Sequence, residues 1–420
     1  AGSYSWGAIS NPSIAGESTS TQTGNTINNT LTNTTASVQT VTYSVFGTST
    51  VGTCSGSPQT VTVTVNPSPT MTSVNTATIC TGETLNVGLT SNLASSYSWI
   101  ATANGNVSGE STSTQTGNTI NNTLTNSTSA VETVVYSVTP TSTTGTCEGA
   151  IQTVNVTVNP DPTMTSANTA TICSGDALNI GLASDITSTY EWIASANGNI
   201  TGESTTTQTS GTINNTLTNT TTSVETVTYT ITPTTTSGTC QGADQTVTVT
   251  INPSPTMTSG NTATICSGEA LNISLTSDIA SSYEWIAAAN GSVTGESTTT
   301  QSSNTINNTL INGTASAQSV VYSVTPTSTS GTCEGSTQTV TVTVNPLPSA
   351  TASANSPCVG QPLNLTGGSA GMGYSWTTTA TTPFTSTSQS PTVNSTATTA
   401  MNGTYTLTLT NLTTTCENTA

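Results

Sequence analysis

Lysine, arginine and histidine are all absent from the 420 residues, which carry 18 acidic side chains and a formal net charge of −18. Without a cation no side chain can neutralise a phosphate, so nucleic-acid binding by counterion release is excluded. Attraction to an anionic membrane surface fails for the same reason. Side-chain salt bridges cannot form, and the commonest acid–base catalysts at neutral pH are missing. Apolar runs approaching the roughly 20 residues of a membrane helix are also lacking, so membrane insertion is not expected. The nine cysteines contain no C-x-x-C pair and have no histidine to complete a zinc site. Acidic residues stand alone, with no D-x-D run to gather the oxygens calcium needs. No metal, no cofactor and no catalytic residue is therefore expected, and the chain is read as a non-enzyme. An initiator methionine and a signal peptide are absent as well, and Ala1 aligns with Ala94 in the middle of a repeat. The expectation is a segment of a longer chain with any secretion signal upstream.

What is present is a repeat. Trp6, Trp99, Trp192 and Trp285 are spaced 93 residues apart, as are Cys54, Cys147, Cys240 and Cys333, and Cys80, Cys173 and Cys266. Such a period suits a small domain copied in tandem, being too long for a solenoid unit or propeller blade. Abundant Ser and Thr at low charge could signal a disordered stalk, but their order argues against it. Val61-Thr62-Val63-Thr64-Val65 alternates as a half-buried strand does, and β-branched Thr favours the pleated backbone.

Within residues 68–160, Pro67 and Pro69 bracket one end and Pro160 and Pro162 the other, marking stiff extended linkers. Leu85, Val87 and Leu89 share one strand face, followed by Tyr97 with Trp99 and a hairpin turn at Asn104-Gly105. Ile120 and Leu124 mark a weaker strand. Val134, Tyr136 and Val138 define the next, and Val154, Val156 and Val158 the last. About seven short strands without helical periodicity imply an all-β chain, a tandem array of immunoglobulin-like or PKD-like β-sandwiches. The expected modules are 1–67 (the C-terminal part of one), 68–160, 161–253, 254–346 and a divergent 347–420. The divergent module keeps Cys358, Leu363, Leu365, Tyr374, Trp376, Tyr405, Leu407, Leu409 and Cys416 but is read as stopping before its final strand.

The runs Ile79-Cys80-Thr81-Gly82-Glu83, Tyr97-Ser98-Trp99, Tyr136-Ser137-Val138, Gly145-Thr146-Cys147 and Val156-Thr157-Val158-Asn159-Pro160 carry a resemblance. They look like the PKD-like and immunoglobulin-like repeats of Bacteroidetes secreted surface adhesins, including flavobacterial gliding adhesins. Cys358-Val359-Gly360 and Asn402-Gly403-Thr404-Tyr405 resemble the same group. The resemblance covers essentially the whole chain and implies type IX export and display at the cell surface. It supplies no catalytic residues.

The Tyr-x-Trp pairs could stack a sugar, but their place among inward-facing positions reads as core. The expected core aromatics are Trp99 and Tyr136, Trp192 and Tyr229, Trp285 and Tyr322, and Trp376 and Tyr405, with Tyr136 and its equivalents Tyr43, Tyr229 and Tyr322 forming tyrosine corners. The Glu of each Gly-Glu-Ser-Thr (Glu17, Glu110, Glu203, Glu296) reads as an exposed loop carboxylate that aids solubility. Asn-x-Ser/Thr triplets at Asn121, Asn126, Asn214 and Asn307 are weak glycosylation signals in so Asn-rich a chain.

The simplest disulfide pairing is intradomain: Cys80 with Cys147, Cys173 with Cys240, Cys266 with Cys333 and Cys358 with Cys416. Cys54 would then bond a residue upstream of Ala1. In an ordinary sandwich, however, those positions lie at opposite ends, farther apart than a Cα separation of about 7 Å allows. Bridges between neighbouring modules, such as Cys54 with Cys80, or between chains therefore stay open. Bridges of either kind place the chain in an oxidising, extracellular setting. A chain of stapled sandwiches reads as the shaft of a secreted adhesin or extracellular filament. Its partners would be neighbouring modules and identical chains. The alternative is a multivalent array in which each module recognises a glycan or surface. Near-identical loops rich in Ser, Thr, Gly and Asn favour the spacer.

Overall fold

The computed structural model describes residues 2–420, which contain no α-helix; one short 3-10 turn spans Thr399–Met401. In residues 68–160 the main sheet has five strands. Their order is Gln115–Thr116, Ser95–Ala101, Glu132–Ser142, Gln152–Asn159 and Thr76–Cys80. The central three are antiparallel, and their alternating β-branched residues suit a half-buried pleat. The outer strand Thr76–Cys80 runs parallel to the closing strand, with Cys80 beside Asn159.

The facing layer is fragmented. It consists of two short pairs, Val87–Gly88 with Thr119–Ile120 and Val107–Ser108 with Thr125–Asn126. The strand expected over Leu85–Leu89 thus contracts to two residues. Irregular bonds continue it on either side, from Leu85 N to Asn122 O and from Leu89 N to Asn118 O, both 2.8 Å. Its apolar positions still point inward, and Leu85, Val87 and Leu89 are buried.

The turn at Asn104-Gly105 is not a hairpin. The strand before it belongs to the main sheet and the strand after it to the facing layer, so the chain changes layers there. Thr76–Cys80, with Ala77, Ile79 and Cys80 no more than half-buried, is a strand that the alternation did not reveal.

Each complete module has its own core. In 68–160 it joins Leu85, Trp99, Ile120, Leu124, Tyr136 and Val156, and equivalent clusters fill 161–253 and 254–346. Residues 2–67 carry the main sheet without a Cys80-type strand. Val61 is accordingly 42% exposed, while its equivalent Val154 is 1% exposed.

Residues 347–420 are built differently. Ala352–Ala354 pairs antiparallel with Leu363–Gly367, which also pairs with Thr392–Asn394. Gly373–Thr378 and Tyr405–Thr410 form the other layer together with Glu417–Thr419. A short strand therefore does occupy the final-strand position, correcting the expectation that none follows. It pairs antiparallel with Thr408, Leu409 and Thr410 of the neighbouring strand.

Candidate functional site: the junctions between modules

The cysteines meet between modules, not within them. Cys80 bonds Cys240, Cys173 bonds Cys333 and Cys266 bonds Cys416, each with a Cα separation of 5.5 Å. The intradomain pairs Cys80–Cys147, Cys173–Cys240, Cys266–Cys333 and Cys358–Cys416 are thus corrected, as is the neighbour pair Cys54–Cys80. The reason lies in the strand order. Cys80 ends its strand beside Asn159, at the C-terminal end of its module. Cys147 follows the long strand Glu132–Ser142 and precedes Gln152–Asn159, which puts it at the N-terminal end. A bridge within one module would have to span its length. The loop of the next module, by contrast, docks against the end where Cys80 sits. Among the described residues Cys54, Cys147 and Cys358 are unpaired.

The docking loop is shaped for this contact. Gly238 has φ +89°, and a Cβ there would lie 2.5 Å from the Asn159 side chain of the preceding module. Gly331 meets Asn252 in the same way, and Gly145 meets Asn66. Each second-position cysteine is preceded by a threonine in the left-handed region: Thr53, Thr146, Thr239, Thr332 and Thr415, with φ between 49° and 59°. A β-branched residue at positive φ is a true outlier, held only where the surroundings over-determine it. Cys240, Cys333 and Cys416 are fully buried at these joints. A further link is Ser254 Oγ donating to Ser174 O at 3.3 Å.

One cluster at a junction has the composition of a metal site: Cys80, Asp161 and Cys240. Both sulfurs are bound to each other, which leaves a single carboxylate. Burial, with Glu83 nearby adding to it, pushes that carboxyl above the usual range.

The core aromatics lie inside the modules. Trp99, Tyr136, Trp192, Tyr229, Trp285, Tyr322 and Trp376 are buried, and Tyr405 is half-buried. Trp99 meets Tyr136 edge-to-face with centroids 5.8 Å apart, as do Trp192 with Tyr229 and Trp285 with Tyr322. Tyr97 is buried with its hydroxyl 2.9 Å from Ser91 Oγ, so the Tyr-x-Trp pair offers no open stacking face.

The tyrosine corner is corrected in the repeats. Tyr136 OH donates to the Asn122 side-chain oxygen at 2.8 Å, and Tyr229 and Tyr322 reach Asn215 and Asn308 likewise. A corner bonds the backbone a few residues upstream. In the divergent module Tyr405 instead bonds backbone four residues upstream, donating to Met401 O at 3.0 Å. Burial, reinforced by Glu110, Glu203 and Glu296, raises the Tyr136, Tyr229 and Tyr322 hydroxyls well above the usual phenol range.

Gly-Glu-Ser-Thr is a fold element and not a solvated tip. Glu110 is half-buried, and its carboxylate accepts the Asn104 backbone N–H at 3.2 Å. Ser111 N donates to Asn122, the same amide that holds Tyr136. Gly109, at φ +95°, passes so close to Thr123 O that a Cβ would lie 2.0 Å from it. Asn121, Asn214 and Asn307 are exposed, but Asn126 is buried and its Nδ2 donates to Ala130 O and Val158 O. A glycan on Asn126 would require those bonds to break.

The PKD-like domain family matches residues 1–69, 77–162, 170–255 and 263–348, and the chain belongs to that family. No match was found among curated proteins. Solved structures similar to the chain include the human desmocollin-1 ectodomain, 10% identical, covering 91% of this chain and 84% of that one with a TM-score of 0.25. An I-band fragment of titin is 10% identical over 67% of this chain and 99% of that one, with a TM-score of 0.33. Sidekick-1 immunoglobulin domains 1–5 are 10% identical over 99% and 91%, with a TM-score of 0.22. No helix among the described residues is long and apolar enough to cross a membrane.

Proposed function

We propose that the chain is a non-catalytic shaft, part of a long secreted adhesin or extracellular filament. The observation that carries this reading is the bridge at each of three successive junctions, always from one module to the next. A device repeated at three successive joints fixes each module relative to its neighbour, which serves a spacer and adds nothing to a free-standing binding domain. The bridges suit an oxidising compartment, and export and surface display of the kind used by Bacteroidetes adhesins fit that setting. Neighbouring modules are the primary partners, and identical chains are the partners in a filament.

Electron microscopy of unreduced material tests the reading. A straight particle with a repeat of one module length is expected. Compact particles that reorganise on adding glycans would overturn it in favour of a multivalent glycan- or surface-binding array.

A further inference from the structure

We infer that the bridges turn the array into an inextensible strap, in which unfolding of interior modules cannot lengthen the chain under tension. This deepens the shaft reading and rests on it only for its biological purpose. The argument is one of covalent connectivity. Cys240 and Cys266 lie 26 residues apart. The peptide between them includes the closing strand Gln245–Asn252, the Pro253–Pro255 linker and the strand Thr262–Cys266. It starts at the N-terminal end of 161–253, bonded to Cys80, and finishes at the C-terminal end of 254–346, bonded to Cys416.

That segment crosses two modules in extended backbone. Fully stretched, 26 residues reach at most roughly 85–94 Å. The 11-residue strand Glu225–Thr235 alone spans about 36 Å. Two modules with their end loops therefore take up most of the available reach, and little slack remains.

A second track runs one module out of step. Its segment from Cys147 to Cys173 crosses 68–160 and 161–253, passes through the bridge to Cys333, and continues towards Cys358. Each of the junctions at 160/161, 253/254 and 346/347 is consequently crossed twice, once by peptide and once by disulfide. The strands on each track are the closing strand and its parallel neighbour, which lie side by side in one sheet. The parallel outer strand, unusual beside an otherwise antiparallel sheet, is what carries the first cysteine to the far end of its module.

Single-molecule stretching of the full chain between its termini tests the inference. The shortest covalent path through the bridges holds about 110 residues, so the unreduced protein should stop extending near roughly 390 Å. With reductant all 420 residues are released and the limit rises to roughly 1,500 Å. Cys80→Ser with Cys240→Ser leaves the other two bridges and should more than double the unreduced length. An unreduced trace as long as the reduced one would overturn the inference, as would the double variant matching the unreduced wild type. Compact particles in the microscope alongside a short unreduced trace would sink the shaft reading and leave the strap standing.

Discussion

The repeats 68–346 and the divergent module 347–420 solve the same joint with different interiors. In the repeats the first strand lies parallel to the closing strand, and a buried tyrosine is held by an asparagine side chain. In 347–420 the first strand pairs antiparallel in the other layer, and Tyr405 bonds backbone four residues upstream. The core of 254–346 is one large cluster, whereas 347–420 divides its core into two small ones. The junction is nevertheless the same. Cys266–Cys416 has the Cα separation of the other bridges, although it encloses 150 residues instead of 160. Thr415 adopts the same left-handed backbone as Thr239. Core packing tolerates redesign as long as volume and pattern are kept, while a disulfide fixes two backbone positions within narrow limits.

Removing bridges should sharpen this contrast most. Cys266→Ser with Cys416→Ser is expected to lower the stability of 347–420 by about 2–5 kcal/mol and to split off a separate transition in urea unfolding. The same change at Cys173 and Cys333 should leave the better-packed repeats cooperative. Equal effects in the two places would break the contrast.

Alkaline pH should come next. The folded repeats hold the Tyr136, Tyr229 and Tyr322 protons past the pH at which an unfolded chain releases them. Their contribution is complete below about pH 10 and falls above it, by roughly 1.4 kcal/mol per pH unit for each tyrosine. Denaturant midpoints from pH 9 to 12 would show the decline, and Tyr229→Phe should flatten it.

A smaller difference separates the repeats themselves. Trp192 Nε1 donates to Ser210 O at 3.0 Å and Trp285 Nε1 to Ser303 O at 3.2 Å. Trp99 Nε1 has no partner: Gly117 stands where the others have serine, so the hydroxyl that also accepts from Trp192 and Trp285 (3.3 and 3.2 Å) is missing and the backbone turns to φ +151°. Ser210→Gly is expected to cost 161–253 about 1–2 kcal/mol, measured by thermal unfolding of the whole chain. The smallest effect concerns the joint backbone. Thr239→Gly and Thr415→Gly should each stabilise by about 0.5–1 kcal/mol, with equal gains showing that the two junctions share one strain.

Much of this was legible in sequence because period-2 alternation reports burial directly. Val134, Tyr136, Val138, Val154, Val156 and Val158 all face the core as the pattern requires. Thr76–Cys80 escaped because Ala77 and Ile79 give too weak an alternation, and its parallel partner is distant in sequence. Glu110 looked solvated because nothing local reveals that it caps the Asn104 backbone. The bridges show a more general limit. A repeat identifies positions only up to its period, so it can say that a Cys80-type residue meets a Cys147-type residue but not in which copy. Three-dimensional placement at opposite module ends decides that, and moves the partner one copy on, to Cys240.

Digestion of unreduced protein with a Glu-specific protease tests the central claim most directly. Cleavage leaves Cys80 in fragment 18–83, Cys240 and Cys266 in 226–269, and Cys416 in 335–417. Module-to-module bridging should hold these three together in one disulfide-linked species, with 149–191 bound separately to 297–334. Recovery of 18–83 bound to 133–148 and free of 226–269 would contradict it.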